Sequence, residues 1–135
     1  MILNNISESN INKLKDNEIF VFGSNLAGIH GAGAAYLAHS KFDAQWKIGI
    51  GRVGNTYAIP TKNLSLDTLP IRIIKGYIEE FIQYANYHNQ YTYLVTEIGC
   101  GLAGYKVEDI APLFKDAINI SCIHLPKKFI EYFNN

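Results

Sequence analysis

Residues 18–42 read Glu-Ile-Phe-Val-Phe-Gly-Ser-Asn-Leu-Ala-Gly-Ile-His-Gly-Ala-Gly-Ala-Ala-Tyr-Leu-Ala-His-Ser-Lys-Phe. The first part, Glu18 to Gly23, is a short apolar run ended by Gly-Ser-Asn, the pattern of a buried strand. The last part, Ala32 to Phe42, is rich in alanine and opens at Gly31 and Gly33, so it predicts a helix. A strand that runs through glycines into a helix is the unit of a layered α/β fold. The rest of the chain repeats the alternation. Gln45 to Ile50 and Asn55 to Pro60 predict two strands joined by a turn around Gly51 to Gly54. In the next segment Arg72, Lys75, Glu79, Gln83 and Asn86 form one polar stripe, and Ile74, Tyr77, Ile78, Phe81 and Ala85 fill the opposite side of a helix. Asp67 or Thr68 is placed to cap that helix, and Pro70 suits its first turn. A strand over Tyr91 to Glu97, a helix over Val107 to Asn119, a strand over Ile120 to Leu125 and a last short helix over Pro126 to Phe133 complete the reading.

The chain has 135 residues, 48% of them hydrophobic and 18% charged, which points to one folded domain, 1–135, and excludes disorder. Twelve Lys and Arg balance twelve Asp and Glu, so no strong non-specific attraction to nucleic acid or an anionic membrane is expected. Lys41, Lys47, Arg52 and Lys62 remain as candidates for a small local basic patch. Cys100 and Cys122 have no metal-type spacing, and Met1 to Asn10 lacks Lys, Arg and an apolar core, so a reducing, cytoplasmic setting is expected. Ile19 to Ser40 carries no formal charge over 22 residues, yet its four glycines and its Ser, Asn and His residues argue against a membrane span.

Ten of the eleven glycines fall in three clusters, Gly23 to Gly33, Gly49 to Gly54 and Gly99 to Gly104, and two of these follow a strand and precede a helix. In open α/β sheets ligands bind beyond the carboxyl ends of the strands, where glycine loops let backbone N–H groups approach an anion. Two such loops can grip a diphosphate from both sides. Two standard motifs fail. Gly49-Ile-Gly-Arg-Val-Gly54 has the dinucleotide-binding spacing but leads into an extended segment ending at Pro60 instead of a helix. Gly23-Ser-Asn-Leu-Ala-Gly28 has P-loop spacing but continues Ile29-His30 where Lys and Ser or Thr are required.

Phe22-Gly23-Ser24-Asn25-Leu26, followed by Gly31-Ala32-Gly33-Ala34-Ala35, resembles the first ADP-ribose loop of macrodomains. Glu97-Ile98-Gly99-Cys100-Gly101-Leu102-Ala103-Gly104-Tyr105 is similar to their second, phosphate-gripping loop. Ala58-Ile59-Pro60-Thr61-Lys62 resembles a third element found in the lysine-dependent macrodomain glycohydrolases, which include the terminal ADP-ribose protein glycohydrolases and the DNA-directed antitoxin. The three elements occur in family order over about Asn10 to Phe114. The resemblance implies a three-layer α-β-α fold with a mixed central sheet. It also implies a site for ADP-ribose or a related nucleotide built from Ser24, Asn25, Leu26, Gly31, Ala32, Gly33, Ala34 and Gly99 to Tyr105, with no metal and no resident cofactor. By the same resemblance Lys62 is the nucleophile that attacks the anomeric carbon of the distal ribose, a role that asks for a partly desolvated amine. Asn25 would orient that ribose, and the acceptor would be ADP-ribosylated DNA or protein.

The pattern departs from the family in two places. Ala103 stands where the protein-directed members carry a catalytic Asp, whereas the DNA-directed members can carry Gly there. Asn10 is the best match to the acid that reads the adenine amino group. Among the other residues, Cys100 is expected to contribute backbone N–H more than a thiolate, because no base neighbours it in sequence. His30 is expected either to touch a phosphate or to be a solvated loop residue. His39, His88 and His124 read as scattered helix and strand positions. Tyr105 either covers a ribose or packs behind the loop. Glu97 is a lone carboxylate available for acid–base work. Two rivals to hydrolysis stand: a non-catalytic binder of a nucleotide signal, and a small protein-interaction module with an exposed apolar patch.

Overall fold

A computed structural model describes residues 5–135. The strand read from Glu18 onward is β2 (Glu18–Asn25), eight residues long and buried through most of its length. It lies inside a six-stranded sheet of order β1-β6-β5-β2-β4-β3, so it is covered on both faces and flanked on both edges. That position explains why its sequence is a nearly unbroken apolar run instead of an alternating one. The other strands are β1 (Ile6–Ser7), β3 (Gly51–Val53), β4 (Thr56–Lys62), β5 (Thr92–Val95) and β6 (Ile123–Pro126). All pairings are parallel except β3 with β4, so the sheet is mixed, as expected.

Alternate residues of β2 serve two cores. Ile19 and Val21 point to the larger one, shared with Ile74, Ile78, Phe81, Phe114 and Phe129. Phe20 and Phe22 point to the smaller one, under Ala35 and Ala38. Helix α1 (Gly33–Lys41) covers the second face. Helices α2 (Ile71–Tyr87), α3 (Val107–Ile110) and α4 (Lys127–Phe133) supply the first. Of the stripe read in α2, Ile74, Ile78, Phe81 and Ala85 are buried; Tyr77 is half-buried, and Ile82 is buried beside them. Each of its larger apolar side chains contributes about 1.5–3 kcal/mol by leaving water. Among the described residues no helix is long and apolar enough to cross a membrane.

Several local expectations are corrected. Gln45 to Ile50 is not a strand, because its backbone is spent elsewhere. Lys47 N–H donates to Gly28 O at 2.9 Å, Gly49 O accepts from the Ser24 hydroxyl, and Lys47 takes a positive φ of 73°. The hairpin strand is instead β3, with its turn at Gly54-Asn55. The helix begun at Val107 stays α-helical only to Ile110 and continues as a 3₁₀ helix over Ala111–Ala117. Pro112 lacks the N–H an α-helix would need there. Neither Asp67 nor Thr68 caps α2, whose N-cap position is Pro70 without a side-chain bond. The basic patch does not assemble around Arg52. Its guanidinium lies 4.1 Å over the Tyr91 ring and donates to the Tyr84 hydroxyl.

Candidate functional site

The carboxyl ends of β2, β4 and β5 meet at one cavity of about 580 Å³. Its wall includes Ser24, Asn25, Gly31, Ala32, Gly33 and Ala34 from the first loop, Lys62 from β4, and Gly99 to Ala103 from the second loop. The two glycine loops read from sequence therefore face each other. Leu26, Gly104 and Tyr105 stand outside this wall. Leu26 N–H instead donates to Lys62 O at 2.9 Å. The Tyr105 hydroxyl donates to Leu69 O at 2.7 Å, and the side chain packs against the larger core.

Hydrogen-bonding capacity is unevenly spent around the cavity. Helix α1 has no side-chain cap at Ala32 and no acidic residue in its first turn. Its first internal bond is Tyr36 N–H to Ala32 O, so the N–H groups of Gly33, Ala34 and Ala35 have no acceptor among the described residues. Such a terminus favours an anion through both its free donors and its dipole. In the second loop Cys100, Gly104 and Tyr105 donate to Glu97, Gly101 and Gly99, which folds the loop on itself. The N–H groups of Gly99, Gly101, Leu102 and Ala103 have no acceptor among the described residues. Gly99 has a φ of +78°, a conformation L side chains rarely adopt, and Ile110 lies behind it.

Lys62 is aimed by local geometry. The β2–β4 register runs Ser24 to Pro60 and then Asn25 to Lys62, so Thr61 is the extra residue of a bulge at the strand ends. Bulges of this kind redirect a side chain where a sheet meets a site. Thr61 is buried and donates its hydroxyl to Ser24 O at 3.2 Å. Beyond Lys62, the Asn63 side chain accepts from Ser65 and Asp67 N–H and curls the chain into a turn. That turn sets Leu66 on the cavity wall and lets the Thr68 hydroxyl donate to Ala103 O at 3.0 Å. The excursion after β4 thus ties the lysine strand to the second loop. Lys62 is half-buried, and among the described residues its ammonium has no hydrogen bond or ion pair.

Asn25 has a narrower part than expected. Its amide nitrogen donates to Ile29 O at 2.8 Å and its amide oxygen accepts from Ile29 N–H at 2.9 Å. The side chain staples the first loop, which leaves one amide hydrogen and one lone pair of this cavity-lining residue unspent. His30 is not solvated and does not line the cavity. It is fully buried against Phe22 and Trp46, with Nε2 2.7 Å from Gln45 O and no partner for Nδ1 among the described residues. The Cys100 thiol is half-buried, and burial, with Glu97 and Asp109 nearby, pushes its pKa up to about 11. It is therefore a thiol near neutral pH and a poor nucleophile.

A second cavity of about 940 Å³ adjoins the first, sharing Gly33, Ala34, Thr96 and Glu97 as wall. It lies between the segment Ile6 to Ile11 and the start of α4, and Asn10 is on its wall. Apart from Asn10, most of this cavity carries no motif in the sequence. It exists because the two-residue β1 pairs with β6 and brings the ends of the chain together. Both cavities have the size of small-molecule sites. Among the described residues no cluster of three or more His, Cys, Asp or Glu is placed to hold a metal ion. Compared with protein-family models, curated proteins and solved structures, the chain has no match.

Proposed function

We propose that the protein binds ADP-ribose across the two cavities and hydrolyses an ADP-ribosyl adduct on DNA or protein, in the manner of the macrodomain glycohydrolases it resembles. The observation that carries this reading is that two sets of residues whose N–H groups have no acceptor among the described residues, at the start of α1 and in the second loop, line a single cavity. That arrangement suits a diphosphate held by backbone donors from both sides. The nucleoside half then occupies the second cavity, with Asn10 offering an amide to the base. The distal ribose occupies the end of the first cavity near Lys62. There the Lys62 nitrogen bonds to the anomeric carbon as the bond to the acceptor breaks, and the proton lost from the nitrogen passes to the departing acceptor. Water later cleaves the sugar–nitrogen bond to restore the lysine. Among the described residues, Lys62 and Glu97 are the Asp, Glu, Lys or Arg side chains on that wall.

The rival reading, a binder that does no chemistry, is favoured by Ala103, which leaves that position without the carboxylate the protein-directed glycohydrolases carry there. Lys62→Ala separates the two. The hydrolase reading expects loss of release from ADP-ribosylated DNA or protein with ADP-ribose binding retained. Unchanged turnover removes Lys62 from the mechanism, and no turnover by the unaltered protein with either acceptor leaves the binder.

A further inference from the structure

Glu97 occupies the waist between the two cavities. Of the four residues both walls share, only Thr96 and Glu97 have polar side chains. The Thr96 hydroxyl is committed to Val21 O at 2.9 Å. The Glu97 carboxylate is 41% exposed and has one ion-pair partner among the described residues, Lys128, at 3.9 Å. A contact of that length on the surface is weak and leaves the carboxylate free to accept hydrogen bonds.

The two cavities also differ in charge. The second presents Glu8, Glu97 and Glu131 against Lys127 and Lys128, a formal balance of −1. Among the described residues the first presents Lys62 against Glu97 and adds backbone donors without an acceptor. Phosphates are therefore favoured more in the first cavity than in the second. Glu97 is also badly placed for chemistry at Lys62. β5 and β4 flank β2 on opposite sides, and two strand spacings put their ends about 10 Å apart.

We propose that Glu97 is a specificity-determining residue that accepts hydrogen bonds from the vicinal hydroxyls of the nucleoside ribose and excludes ligands carrying a phosphate there. This rests on the ADP-ribose reading above. A carboxylate accepts from two neighbouring hydroxyls, and a phosphate at the 2′ position would set like charges against each other.

Calorimetric titration of the unaltered protein, Glu97→Gln and Glu97→Asp with ADP-ribose and with its 2′-phosphorylated form tests this. The unaltered protein should prefer ADP-ribose by at least about tenfold, the worth of a charge-assisted hydrogen bond. Glu97→Gln should weaken ADP-ribose binding several-fold and shrink the preference to about threefold or less, while Glu97→Asp keeps most of it. Equal affinity of the unaltered protein for the two ligands, or an unchanged preference in Glu97→Gln, overturns the assignment and leaves the ADP-ribose site standing. Absence of binding by either ligand to the unaltered protein overturns the site itself.

Discussion

Replacing Gly99 by Ala puts the geometry of the second loop under direct test. Gly99 has a φ of +78°, and a Cβ built on it would lie 2.9 Å from Ile110 Cδ1 and 3.2 Å from Cγ1. The left-handed conformation costs a non-glycine residue about 1–2 kcal/mol. Ile110 is fully buried, so it yields only by overpacking its surroundings, a further cost of about 1–3 kcal/mol. Gly99→Ala should therefore destabilise the fold by about 2–5 kcal/mol, measured by urea unfolding followed by circular dichroism. Ile110→Val removes the nearest atom, Cδ1, and alone costs about 0.5–1.5 kcal/mol. In the double variant the new methyl finds the vacated space. The double should thus be less destabilised than the sum of the singles by about 1 kcal/mol. A Gly99→Ala loss below about 0.5 kcal/mol, or strict additivity in the double, refutes this account of how the loop is held.

Three further outcomes are expected. Thr68→Val removes the bond to Ala103 O and should lower ADP-ribose affinity several-fold, with about 0.5–1.5 kcal/mol lost in stability, while Thr68→Ser restores both; an unchanged affinity means the tie does not position the loop. Cys100→Ser should keep turnover within a few-fold of the unaltered protein, since the thiol titrates only at about 11; a loss of a hundredfold would make the thiol part of the chemistry. Burial lowers the His124 pKa, partly opposed by Glu18, so the unfolded chain binds the extra proton first as pH falls. The neutral imidazole's contribution is complete above the ordinary histidine value of about 6.5 and is lost as pH falls below it toward the lowered folded value. His124→Gln should accordingly flatten the decline in stability between about pH 7.5 and 5, and parallel slopes for the two proteins would remove His124 as a contributor.

What the sequence disclosed depended on whether a residue's environment lay near it in the chain. β2 and α2 were legible because burial on two faces gives an apolar run and burial on one gives a stripe. The facing of the two glycine loops followed from topology, since both leave parallel strands that pair directly, β2 with β5. Gln45 to Ile50 misled because Trp46, Ile48 and Ile50 alternate like a strand but remain substantially exposed, and the segment braces the first loop instead of joining the sheet. His30 was unreadable for the same reason, since the carbonyl it bonds belongs to Gln45. Most of the second cavity escaped because β1 is only two residues long and its partner β6 lies at the other end of the chain. Asn25 shows the limit within a motif: the residue lines the cavity, but its amide is already bonded to Ile29.

The central claim, a nucleotide diphosphate gripped between two glycine loops, is tested most directly by calorimetric titration with ADP-ribose beside AMP and NAD. Seven N–H donors without an acceptor among the described residues, from Gly33, Ala34 and Ala35 and from Gly99, Gly101, Leu102 and Ala103, predict that ADP-ribose binds clearly more tightly than AMP, which lacks the second phosphate and the distal ribose. No heat and no thermal shift with any of the three would contradict it.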